Sequence, residues 1–130
     1  MYGDPLTPLE RDALAGFVNT VDCGLEAYRG QLTECRIKSR KLTGVGFFTT
    51  VVVPQRLAAA DTRRRVVSGV NAEIDGGEYD VGFVLYVEDG MLDMLEGFVY
   101  GDASWPDSIE RYTIRSDEEM NAALNESPRR

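Results

Sequence analysis

There is no histidine in this sequence, and there are only two cysteines and one tryptophan. Without histidine the chain has no Ser-His-Asp or Cys-His catalysis and no imidazole-ligated zinc or iron. Acid–base chemistry would fall to Asp, Glu, Tyr, Cys or Lys. Cys23 and Cys35 are not in CxxC spacing, so both read as reduced, partly buried thiols, with a Cys23–Cys35 disulfide as the alternative. No apolar run approaches the roughly 20 residues of a membrane helix. The first residues, MYGDPLTPLERD, lack the basic stretch and apolar core of a secretory signal. A cytoplasmic protein without membrane contact is therefore expected. Basic residues are scarce in the second half. Residues 66–128 hold two arginines against fifteen carboxylates, whereas residues 1–65 hold ten basic and seven acidic side chains. A net charge of −8 carried this way excludes a nucleic-acid binder, which needs a basic face to release counterions. It suits a solvated surface or one that attracts a basic partner.

What is present reads as one domain over 1–130, with 1–6 and 125–130 expected to fray. Thr7-Pro8-Leu9-Glu10 is a helix start: threonine caps, proline suits the first turn and Glu10 completes a capping box. Leu9, Leu14, Phe17 and Val18 follow at helical spacing. A second short helix is expected near Leu25–Leu32. From Glu34 the period becomes two. Cys35, Ile37 and Ser39 alternate with Arg36, Lys38 and Arg40, a half-exposed strand with a basic outer face. TGVGFFTTVVVP is apolar on both faces and belongs inside a sheet. RVVSGVNAEI forms a strand with Val66, Val70, Ala72 and Ile74 sharing a face. Asp75–Glu78 is a turn whose acids read as solvated. Ile109–Arg115 is a short strand, and Ser116 caps a final helix over Asp117–Leu124. Helices at the ends and strands between predict an α+β fold: a single antiparallel sheet of about five or six strands, with the N-terminal helices packed on one face.

The richest segment is Val81–Tyr100, a β-hairpin around Asp89-Gly90 with one carboxylate, Glu96, among Leu92, Met94 and Phe98. A two-residue turn sets Glu96 opposite Phe83; a three-residue loop sets it opposite Gly82. An ionised carboxylate on an apolar face pairs, protonates or binds something. Arg40 of the basic strand is the expected partner in a brace across the sheet. The rival readings are a ligand site, with Glu96 and Arg40 inside a groove walled by Tyr86, Tyr100 and Trp105, and a wet edge position with no role. No metal and no cofactor is expected, since neither the acidic turn nor Gly44-Val45-Gly46 has a ligand-loop pattern.

The segments TGVGFFT at 43–49 and EDGMLDMLEGFVYGDASWP at 88–106 resemble a pattern of small uncharacterised bacterial proteins, a TGxGFFT strand followed by an LEGxxYGxxxWP hairpin segment. That group carries no established activity. In size and charge the chain is also similar to bacterial immunity proteins, which bind and block a toxin domain. The leading functional expectation is a non-enzymatic acidic interaction module for a basic partner. The alternatives are a small-molecule binder or enzyme using Glu96, and a structural homodimer.

Overall fold

The computed structural model describes residues 3–20 and 24–116. Cys23, the expected final helix at Asp117–Leu124 and the expected frayed end at 125–130 lie outside the described residues. Helix α1 spans Pro8–Asn19 and begins as its sequence dictates. The Thr7 hydroxyl accepts from the Glu10 N–H at 3.2 Å, and the Glu10 carboxylate accepts from the Thr7 N–H at 2.8 Å. Its inner stripe, Leu9, Ala13, Leu14, Phe17 and Val18, is buried. The second helix is a 3-10 helix over Glu26–Glu34. The strands are β1 (Arg36–Leu42), β2 (Gly46–Val52), β3 (Arg65–Ile74), β4 (Tyr79–Glu88), β5 (Met91–Val99) and β6 (Tyr112–Ser116). They form one antiparallel sheet in the order β1-β2-β5-β4-β3-β6. The expected α+β architecture is thus the observed one. Among the described residues no helix is long and apolar enough to cross a membrane.

Both helices lie on one face of the sheet. The core fills that side: Phe17 and Leu14 of α1 and Leu25 beside the 3-10 helix join Phe83, Leu85, Leu95 and Val70 of the strands. Each such side chain, fully buried, contributes about 1.5–3 kcal/mol of transfer free energy. The segment before α1 makes an isolated bridge to β1, Asp4 with Ile37. Ile37 N–H donates to the Asp4 carbonyl at 2.8 Å, and Leu6 is buried.

Three bulges decide which residues face the helices. In β1 the extra residue is Lys38, between Ile37↔Val51 and Ser39↔Thr50. Arg40 therefore turns to the helix side, opposite Thr49, instead of the expected basic outer face. In β3 the extra residue is Gly69, so Val70, Ala72 and Ile74 enter the core while Val66 stays exposed on the other face. In β5 it is Asp93. The hairpin turn itself is the expected two-residue one: Asp89 and Gly90 both have positive φ, 56° and 77°, as a type I′ turn requires. Val87 pairs with Leu92, but beyond Asp93 the register shifts and Glu96 lies opposite Val84. Neither expected register, Phe83 or Gly82, holds past the bulge. The same shift puts Leu92 in the core beside Leu95 and off the face of Glu96.

Candidate functional site

The five residues singled out by sequence fall on opposite faces of the sheet. Tyr86, Glu96 and Tyr100 lie on the face opposite α1 and the 3-10 helix. The Tyr86 hydroxyl donates to Glu96 Oε1 at 2.9 Å. That hydrogen bond to the carboxylate, with burial, raises the Tyr86 pKa above its ordinary value of 10.0. Tyr100 lies over Gly82, where a Cβ would come within 2.6 Å of the tyrosine oxygen. Its hydroxyl donates to Asn71 Oδ1 at 2.7 Å, and its ring meets Phe98 edge-on at 5.2 Å. Around Glu96 stand Phe48 of β2, Val84 of β4, and Met94 and Phe98 of β5, all half-buried.

Arg40 and Trp105 are on the helix side. Arg40 does not brace Glu96; it pairs with Glu10, whose side chain is 3% exposed. Arg40 Nε donates to Glu10 Oε2 at 2.9 Å and Nη2 to Oε1 at 2.7 Å, a bidentate contact. Thr49 Oγ1 donates to Oε2 at 2.6 Å, and the Thr7 N–H completes the set. Burial pushes the Glu10 carboxyl up, but the hydrogen bonds from Arg40, Thr49 and Thr7 outweigh it and hold it below its usual 4.5. This buried ion pair was hidden behind the capping box. A signal did exist: Glu10 stands three residues before Ala13, four before Leu14 and seven before Phe17, on the apolar stripe of α1.

Trp105 packs edge-on against Phe47, with centroids 5.1 Å apart, and its backbone N–H donates to the Gly44 carbonyl at 2.9 Å. Phe47 in turn lies across Gly97, where a Cβ would sit 2.6 Å from the ring carbon Cζ. The loop 101–111 is thereby clamped to the β1–β2 hairpin. At its far end the N–H groups of Glu110 and Arg111 both donate to Asp75 Oδ1 at 3.0 Å. Tyr112 ties β6 to α1 through its hydroxyl, 2.6 Å from Asp12 Oδ2. Burial and then that bond push its pKa up to about 12.

Comparison with family models, with curated proteins and with solved structures finds no match to this chain. Function has to be argued from the two faces themselves. Among the described residues no three His, Cys, Asp or Glu side chains are grouped to hold a metal ion. Cys35 is free and fully buried, and burial pushes its thiol up to about 11, partly offset by Arg11 and Arg36. In a Cys23→Ser background, alkylation of Cys35 at pH 8 is therefore expected to run more than about 100-fold slower in the native protein than in denaturant. Equal rates would show that the thiol is exposed.

Proposed function

We propose that this protein is a non-enzymatic interaction module that binds a basic protein partner on the open face of its sheet, with Glu96 at the centre of the contact. One observation carries the reading: among the described residues the helices cover only one face, and the other presents a half-buried carboxylate ringed by Phe48, Val84, Met94 and Phe98. Its one hydrogen-bond partner among the described residues is neutral, Tyr86. A central polar anchor inside an apolar ring that excludes water is the anatomy of an interface hot spot. Charge favours a cation as the complement. Residues 65–116, which hold β3 to β6, carry eleven carboxylates and three arginines. Glu73 and Asp80 stand directly opposite one another on the same face; Arg115 Nη2 lies 3.7 Å from Glu73 Oε1, and Asp80 makes no ion pair among the described residues. The groups best placed for chemistry are otherwise committed, Glu10 to its ion pair and Cys35 to burial. The likeness in size and charge to immunity proteins makes basic toxin domains the first partners to try.

Titration against basic domains tests this. Glu96→Gln should weaken binding by about 10-fold, the loss of one charge-assisted contact. Glu88→Gln, at the exposed end of β4, should change it less than about 2-fold. Affinity should fall as salt rises. Salt-independent binding to every basic candidate, or no effect of Glu96→Gln, would overturn the reading. So would sedimentation of the free protein as a stable dimer through this face, since the face would then already be covered.

A further inference from the structure

On the helix side a groove of about 540 Å³ opens between the start of α1, the β1–β2 hairpin and the loop that carries Trp105. That size lies within the range of small-ligand sites. Its body is apolar: Leu9, Leu42, Phe47, Trp105 and Ile109 line it. Leu42 lines the groove and is 72% exposed. The walls are held in place by the Trp105–Gly44 hydrogen bond, the Trp105–Phe47 contact and the Asp75 anchor.

The charges in this groove are specific in sign and position. Arg40 is held by Glu10 through Nε and Nη2, which leaves Nη1 without a partner among the described residues, on a side chain that is 34% exposed. Asp107 and Glu110 of the loop line the groove too, and neither side chain makes an ion pair among the described residues. A simple anion would meet Arg40 favourably but the two loop carboxylates unfavourably. A simple cation would be drawn to the carboxylates and repelled by the guanidinium. A molecule with both charges satisfies both ends while its apolar part covers Phe47, Trp105 and Leu42.

We propose that this groove binds a zwitterion with an apolar body, an apolar α-amino acid or a dipeptide. The ligand carboxylate sits on Arg40 Nη1, its ammonium lies toward Asp107 and Glu110, and its side chain packs against Trp105. Glu10 acts as a positioning residue, since its bidentate bond fixes the guanidinium plane. The site is on the opposite face from Glu96 and does not depend on the partner-binding reading.

Trp105 is the only tryptophan in the chain, so its fluorescence reports this groove directly. The probes are phenylalanine, the dipeptide Leu-Phe, N-acetyl-phenylalanine and phenylalanine amide. The free zwitterions should give a saturable change with a dissociation constant below about 10 mM, and capping either end should weaken binding at least about 10-fold. Asp107→Asn with Glu110→Gln alters only exposed loop side chains. It should weaken the free amino acid about 10-fold and leave the affinity for N-acetyl-phenylalanine, an anion, equal or higher. A lack of saturation by either zwitterion would overturn the proposal. Equal affinity for the capped and free forms would overturn it as well, because the groove would then be selecting apolar surface alone.

Discussion

Arg40→Ala is expected to lower the stability of this protein by about 3–5 kcal/mol at pH 7, the cost of leaving a buried charge without its partner. Glu10 stays 3% exposed after the substitution, with Thr49 and the Thr7 N–H as its remaining donors. A neutral group at the same place is much cheaper to bury. Glu10→Gln combined with Arg40→Ala should therefore be more stable than Arg40→Ala alone, a non-additivity that a double-mutant cycle in urea measures directly. The dependence on pH separates this from a simple loss of packing. In the native protein the Glu10 pKa is depressed below 4.5. Its contribution is then fully present above the unfolded value and is lost as pH falls through the folded one. Without Arg40 the main opposing charge is gone and burial raises the folded pKa, so acidification relieves the variant. The gap between the two proteins should be widest near pH 7 and close as pH drops below about 4.5. A gap that stays constant from pH 7 to pH 4 would show that the ion pair is not what Arg40 contributes.

Gln31→Leu should cost about 2–4 kcal/mol, although it replaces a buried side chain by an apolar one of similar size. Gln31 is 1% exposed, and both ends of its amide are used. Nε2 donates to the Leu57 carbonyl at 3.0 Å and to the Gly90 carbonyl at 2.9 Å, while Oε1 accepts the Leu92 N–H at 2.9 Å. The β2–β5 ladder ends at Thr50↔Met94, and beyond it the glutamine takes the N–H that no strand receives. Leucine fills the space but leaves the buried Leu92 N–H and the part-buried Leu57 carbonyl without this partner. The Gly90 carbonyl keeps the Ala59 N–H, at 2.7 Å. Hydrogen exchange at Leu92 should accelerate more than at Leu95, which stays inside the ladder. A variant within about 0.5 kcal/mol of the parent would mean that the hairpin end relaxes to recover its hydrogen bonds.

Much of the architecture was legible in the chain because it depends on local chemistry. Thr7, Pro8 and Glu10 specify the start of α1 through a capping box that closes within four residues. Asp89-Gly90 specifies the hairpin turn because only such a pair tolerates positive φ at both positions. The two-sided apolar run of β2 placed that strand inside the sheet, and it lies between β1 and β5. The site was less legible. Alternation assigns faces correctly only while the ladder is regular, and each of Lys38, Gly69 and Asp93 adds a residue that reverses everything beyond it. Those reversals sent Arg40 to the helix side, Val66 outward and Leu92 inward, and so separated Arg40 and Trp105 from Glu96.

By itself the sequence determined the fold class, the turn and cap geometry, the acidic second half and the exposure of a carboxylate to an apolar face. Each of these follows from neighbours within a few residues or from composition. Tertiary structure decided which charge meets which. The Glu10–Arg40 contact spans 30 positions and the Gln31–Leu92 contact spans 61. Such pairs arise from strand register and from helix packing on one side of the sheet, which no local pattern encodes. The same packing left Glu96 on the opposite face, hydrogen-bonded to Tyr86.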